Sequence, residues 1–283
     1  MAKKLELLAI VGPTASGKTA ASIELAKKLN GEIISADSRA IYKGLDIGTA
    51  TPTMVERQGV IHYGFDLINP DRRYSASDFK EYATQKTAEI IKKGKLPIIV
   101  GGTGLYVDAF LYDFQLPKPN YSLRIELEKK TIAQLQQQIM QLNLAMPVNN
   151  KNKLHLVSTI ERGKTVPTKT HNLPKGWKII GMNPEKDQLN SKISTRASQM
   201  FKAGVVIEAQ KAATQYGWES PGLNGGVYKV LRKYFENELS IEKCLEKFIQ
   251  SDKNLAKRQT TWFSRNKEIL WIKNLSNILE IVD

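Results

Sequence analysis

Residues 5–12, LELLAIVG, form a compact apolar run ending on glycine, the pattern of a strand buried on both faces of a parallel sheet. The rhythm then changes. In TAASIELAKKLN (19–30), Ile23, Leu25, Ala26 and Leu29 fall at helical spacing, and Asn30-Gly31 supplies a stop. GEIISAD (31–37) predicts a second short strand. SASDFKEYATQKTAEIIKKGK (75–95) has a Ser/Asp start, helical periodicity and a lysine-glycine end. LPIIVGGTGLY (96–106) reads as another buried strand running into glycines. Strand and helix in alternation predict an α/β fold, a parallel sheet flanked by crossover helices.

Beyond Leu116 the chain turns polar, rich in Gln, Asn and Lys, with one clear helical segment, SLRIELEKKTIAQLQQQIMQL (122–142). The stretch GKTVPTKTHNLPKG (163–176) is turn-rich. WKIIGMNP (177–184) predicts a strand that returns to the sheet, followed by helices at about 186–201 and 205–216. A last helix, 240–263, opens on a serine cap and carries Ile241, Leu245, Phe248 and Ile249 at helical spacing. EILWI (268–272) and ILEIV (278–282) predict short closing strands. The expected organisation is a core in two parts, 1–115 and 177–283, the second ending in a basic helical region, with a mainly helical insertion at 116–176.

Composition narrows the function. At 283 residues and 41% hydrophobic, the chain can bury a substantial core. Its single cysteine, Cys244, and three histidines exclude an internal disulfide framework and a Cys/His zinc cluster. Cys244 lies on an apolar helical face and is expected to be a buried thiol. No apolar stretch reaches membrane-spanning length, and the N-terminal run passes straight into a glycine loop rather than a cleavage site. A cytoplasmic setting is the expectation. The net charge of +14 fits either well-solvated lysines or a surface for a polyanion. Its distribution favours the second: residues 117–178 hold eleven Lys/Arg against three Asp/Glu, and 226–273 hold eleven against six.

The glycine loop carries the chemistry. Gly12-Pro13-Thr14-Ala15-Ser16-Gly17-Lys18-Thr19 has the spacing of a phosphate-binding P-loop between a strand and a helix. Glycines let backbone N–H groups turn inward around phosphate oxygens, and the helix start adds its positive end. Lys18 supplies a cation, and the Thr19 hydroxyl suits a magnesium ion shared with phosphates. ATP enzymes also need a carboxylate at the end of a later strand. Here the later strand ends in Gly101-Gly102-Thr103-Gly104, and the acid, Asp37, follows the second strand instead. Asp37 suits a magnesium carboxylate, a helix cap or a general base.

Taken together, GPTASGKT, ADSRAIYKGLDIGTATP, IHYGFDLINPDRRYSASDF, GGTGLY and AKRQTTWF resemble the bacterial-type tRNA dimethylallyltransferases, also called tRNA isopentenyltransferases. The likeness covers roughly 1–115 and 177–275. It implies a P-loop NTPase-like core and transfer of a dimethylallyl group from dimethylallyl diphosphate to the exocyclic N6 amine of the adenosine 3′ of the tRNA anticodon. It also implies magnesium as cofactor. By the same likeness Asp37 is the base. Gly12, Thr14, Ala15, Ser16, Gly17, Lys18 and Thr19 cradle the diphosphate, Thr19 meets the metal, and Thr103 and Arg196 stabilise the departing charge. Ser38, Arg39, Lys257, Arg258 and Gln259 are the expected tRNA contacts on the anticodon stem-loop. No protein partner is expected, and the chain is expected to act as a monomer. The sequence departs from the family at Ala40 (usually Gln), at Ser158 (usually Arg), at Gly226-Val227, and at Ser251-Asp252-Lys253, which replaces Arg-Thr-Arg. Three rivals remain: an adenylate isopentenyltransferase using a free nucleotide, a P-loop small-molecule kinase, and an RNA-binding protein without catalysis.

Overall fold

The computed structural model describes residues 5–116, 120–165 and 172–272. The chain opens with β1 (Leu7–Val11), α1 (Lys18–Lys28), β2 (Gly31–Ser35), the short α2 (Asp46–Thr49), β3 (His62–Tyr63), α3 (Ala76–Lys92), β4 (Leu96–Gly101) and α4 (Gly104–Leu111). Then come α5 (Tyr121–Lys129), α6 (Ile132–Gln141) and α7 (Lys153–Arg162). It closes with β5 (Trp177–Met182), α8 (Lys186–Lys202), α9 (Val205–Tyr216), α10 (Gly226–Phe235), α11 (Ile241–Phe263) and β6 (Ile269–Ile272).

The six strands form one parallel sheet in the order β3-β2-β4-β1-β5-β6. β1 lies inside it, with Ala9 opposite Ile99 on one side and Ile179 on the other. All five β1 residues are fully buried because helices cover both faces. Phe79, Ala83 and Ile90 of α3, with Val107 and Phe110 of α4, pack on one face. Ala21, Ile23 and Leu25 of α1 pack on the other. Parallel strands bring their carboxyl ends to one edge. The loops after β1, β2, β4 and β5 therefore meet there, the usual crevice for a ligand.

The expected strand 96–106 stops at Gly101, and Gly104–Leu111 is helical. The apolar run continues because α4 is buried along most of its length, which hides the change of period. The single helix expected over 122–142 is two. Thr131 accepts a hydrogen bond from the Gln134 amide, while the Gln134 side chain returns to the Thr131 N–H. That capping box starts a new helix and ends the old one at Lys130, which is extended. α5–α7 build their own apolar cluster from Leu127, Leu135, Ile139, Leu156, Val157 and Ile160. An ion pair between Arg73 and Glu128, and a 2.7 Å bond from the Tyr121 hydroxyl to Asp78, join it to the core. α10 is a helix that the sequence pattern does not announce. Two glycines, Gly225 and Gly226, stand at its start where a polar cap would have marked one. EILWI supplies β6; ILEIV and much of the 163–176 turn region lie outside the described residues. Cys244 is buried, as its helical position implied. Among the described residues no helix is long and apolar enough to cross a membrane.

One polar clasp sets the wall beside the crevice. The Glu208 carboxylate on α9 accepts the Ile47 N–H at 2.8 Å, the Gly48 N–H at 2.9 Å and the Tyr228 hydroxyl at 2.6 Å. These amides belong to the first turn of α2, where an anion is favoured. Burial, with the Glu208 charge beside it, pushes the Tyr228 hydroxyl up, so it stays a donor. Glu208→Ala strands two amides and leaves the Tyr228 hydroxyl only the Leu45 carbonyl at 3.0 Å. Chemical denaturation should show a loss of about 2–3 kcal/mol.

Candidate active site

The P-loop is shaped by backbone that side chains resist. Gly12 has φ +145°, and a Cβ there would come within 2.4 Å of the Met182 carbonyl at the end of β5. Gly17, at φ 94°, turns the chain into α1, whose first turn carries no acidic side chain. Its N-terminal amides and dipole are thus uncompensated by a carboxylate from the helix itself, which suits an incoming anion. Lys18 Nζ donates to the Pro13 carbonyl at 2.5 Å and lies 3.4 Å from Ser16 Oγ. Burial pushes the Lys18 amine down to about 7; the Asp37 charge opposes this and Arg196 adds to it. Lys18, Asp37 and Arg196 therefore share one electrostatic neighbourhood, although their segments are far apart in sequence. Thr19, one residue further, is exposed at the start of α1.

The wall across from the loop comes from β2 and β4. Asp37 follows β2, and its Oδ1 accepts the Arg39 N–H at 2.8 Å, which orients the carboxylate without capping a helix. Thr103 follows β4. Its Oγ1 accepts the Ser38 N–H at 3.0 Å and lies 3.2 Å from Ser38 Oγ, so the two loops are laced together. Thr103 stands at the N-cap of α4 without using its side chain there. Arg39 donates to the Pro221 carbonyl at 3.1 Å and the Asn224 carbonyl at 3.3 Å. Its guanidinium thus also ties the β2 loop to the turn before α10.

α8 and α11 close the third side. Arg196 Nη2 donates to Thr14 Oγ1 at 2.6 Å and to Asp252 Oδ2 at 2.7 Å. Gln259 Oε1 accepts the Thr14 N–H at 2.7 Å, and its Nε2 donates to the Gly102 carbonyl at 3.0 Å. A Cβ at position 102 would lie 2.3 Å from Gln259 Nε2 and push that side chain off the Gly102 carbonyl. Gln259, grouped with Lys257 and Arg258 on sequence, is turned the other way. It spans the P-loop and the β4 turn while Lys257 and Arg258 are exposed. The aromatics behind them divide as their neighbours do. Phe263 is buried in the sheet-side cluster, whereas Trp262 is partly exposed and donates to Asp108 Oδ2 at 2.8 Å.

Thus the loop 12–19, Asp37, Ser38, Thr103, Arg196 and Gln259 gather at one edge of the sheet. Asp252 completes the set and was not singled out as a site residue. Its signal was legible as a lone carboxylate on the inward face of the last helix, spaced four residues from Phe248 and Ala256, both buried.

Known proteins resemble the whole chain. A family model described as IPP transferase matches residues 40–267, and one described as isopentenyl transferase matches residues 5–63. A tRNA dimethylallyltransferase of Macrococcus caseolyticus is 34% identical over 99% of this chain and 94% of its own. The crystal structure of a tRNA isopentenylpyrophosphate transferase from Bacillus halodurans is 33% identical, with a TM-score of 0.75 over 99% of this chain and 95% of that one. A eukaryotic dimethylallyltransferase solved acting on tRNA shares the fold at 21% identity, with a TM-score of 0.76 over 97% of this chain and 75% of that one. At this identity over nearly its whole length, the chain belongs to the tRNA dimethylallyltransferase (IPP transferase) family.

Proposed function

We propose that the chain is a cytoplasmic, monomeric enzyme that moves a dimethylallyl group from dimethylallyl diphosphate to N6 of the adenosine 3′ of a tRNA anticodon. The N6 lone pair forms the new N–C bond, the C–O bond to diphosphate breaks with its electron pair leaving on diphosphate, and the N6 proton passes to Asp37. An adenine amine is a weak nucleophile, so a carboxylate that takes its proton during attack assists it. An allylic carbon ionises readily once the leaving charge is stabilised. In this reading Lys18, Arg196, the loop amides and Thr103 supply that stabilisation. The observation that carries the reading is the convergence on the P-loop of Arg196, bonded to Thr14 at 2.6 Å, with the Asp37-Ser38 loop laced to Thr103 at 3.0 Å on the same edge of the sheet.

Magnesium fits this donor set. Among the described residues no three His, Cys, Asp or Glu side chains gather to form a protein cage. Thr19 offers a hard oxygen beside the cradle, and magnesium is commonly held by one or two protein oxygens together with substrate phosphates. When bound it would neutralise charge on the departing diphosphate. The exposed Lys257 and Arg258, and the eight-charge excess in the sequence of residues 117–178, favour a polyanion such as tRNA over a free nucleotide. The target base would leave the loop stack to reach Asp37. The test combines the protein, magnesium, dimethylallyl diphosphate and an anticodon stem-loop, followed by nucleoside mass spectrometry. A prenylated adenosine formed without ATP is expected. Phosphate transfer from ATP, or prenylation of free adenylate alone, would move the protein to one of the rival classes.

A further inference from the structure

Asp252 is an unusual neighbour for an anion cradle. It sits on the inward face of α11 with 8% of its side chain exposed, and its Oδ2 lies 2.7 Å from Arg196 Nη2. The same nitrogen donates to Thr14 Oγ1 at 2.6 Å, inside the P-loop. The ion pair is therefore seated on the cradle. Arg196 Nε is buried and makes no hydrogen bond among the described residues, while Nη2 spends both of its N–H groups on protein oxygens. A carboxylate in contact with a guanidinium in a low-dielectric setting cancels much of the field that the cation projects. Burial pushes the Asp252 carboxyl up, Arg196 opposes that, and the Asp37 charge adds to it.

We propose that Asp252 is an internal counter-ion that competes with diphosphate for Arg196 and so loosens the enzyme's hold on both the donor and the released diphosphate. This rests on the reading of Arg196 as the diphosphate arginine. The opposite role, a scaffold that orients Arg196, predicts the opposite sign. Removing a scaffold weakens anion binding, whereas removing a competing counter-ion strengthens it. The geometry favours competition, because Nη2 spends its two N–H groups on Asp252 and Thr14, and an anion that takes this nitrogen has to displace one of them.

The experiment titrates inorganic diphosphate into the full-length protein with magnesium, by calorimetry, and repeats it as product inhibition of prenyl transfer. Asp252→Asn preserves shape and hydrogen bonding while deleting the charge; it should bind diphosphate about tenfold more tightly. Asp252→Thr should move the same way and serves if the asparagine variant does not fold, as judged by its thermal melt. Arg196→Ala should weaken binding about tenfold, and in that background the gain from Asp252→Asn should shrink by more than half. Unchanged or weaker binding in folded Asp252 variants, with Arg196→Ala still impaired, overturns the counter-ion alone. Unchanged binding in Arg196→Ala overturns the assignment of Arg196 and the counter-ion with it.

Discussion

Asp37→Ala should lower prenyl transfer by roughly 10²–10⁴-fold, the usual range for a lost general base, while affinity for the anticodon stem-loop stays within a fewfold. The dissociation follows from where Asp37 sits. Among the described residues its Oδ1 accepts the local Arg39 N–H at 2.8 Å. The loop also has other anchors: Ser38 N–H on Thr103 Oγ1, and Arg39 on the carbonyls of Pro221 and Asn224. Removing the carboxylate therefore deletes a proton acceptor without dismantling the wall. Asp37→Asn keeps the turn-forming oxygen and should be nearly as inactive, because an amide cannot take the N6 proton. Single-turnover prenylation and stem-loop binding, measured on the same preparation, check both claims. Lost RNA binding with residual chemistry would reassign Asp37 to recognition.

Much of this site was legible before folding because the signals are local. A glycine-rich loop between an apolar strand and an amphipathic helix carries its own context, and both Asp37 and Thr103 announce themselves by following strands of a parallel sheet. Arg196 required the family likeness, since one arginine on a polar helix has no distinguishing pattern. Gln259 illustrates the limit. It follows Lys257 and Arg258 in sequence, and adjacency suggested a common face, yet successive helical residues diverge by about 100°. The seven-residue spacing from Asp252 is what returns Gln259 to the inward side. The same limit explains the broken helix at Lys130. Composition over 122–142 is helical throughout, and only the reciprocal Thr131–Gln134 bonds define the break.

Lys18→Met should reduce kcat/KM for dimethylallyl diphosphate by about 10²–10³-fold, comparable with losing one preorganised donor to a developing anion. The sign of its other effects separates function from folding. Burial holds the Lys18 amine at about 7, against 10.5 for an exposed lysine. A lysine lowered on folding destabilises the native state fully below about pH 7, and the penalty disappears as the pH rises toward the unfolded value. Methionine fills a similar volume without that penalty, so at pH 7 or below the variant should melt no lower than the parent despite its lost activity. Diphosphate brought against Lys18 favours the ammonium and lifts its value. At pH 8 binding should then draw in close to one proton, and at pH 6, where Lys18 is already charged, very little. Calorimetry in buffers of different ionisation enthalpy measures that uptake, and the difference between parent and Lys18→Met isolates it from protonation of the diphosphate. An uptake at pH 8 that persists in Lys18→Met would remove Lys18 as its source. Its disappearance, together with an undiminished melting temperature, ties the cation to the anion rather than to the fold.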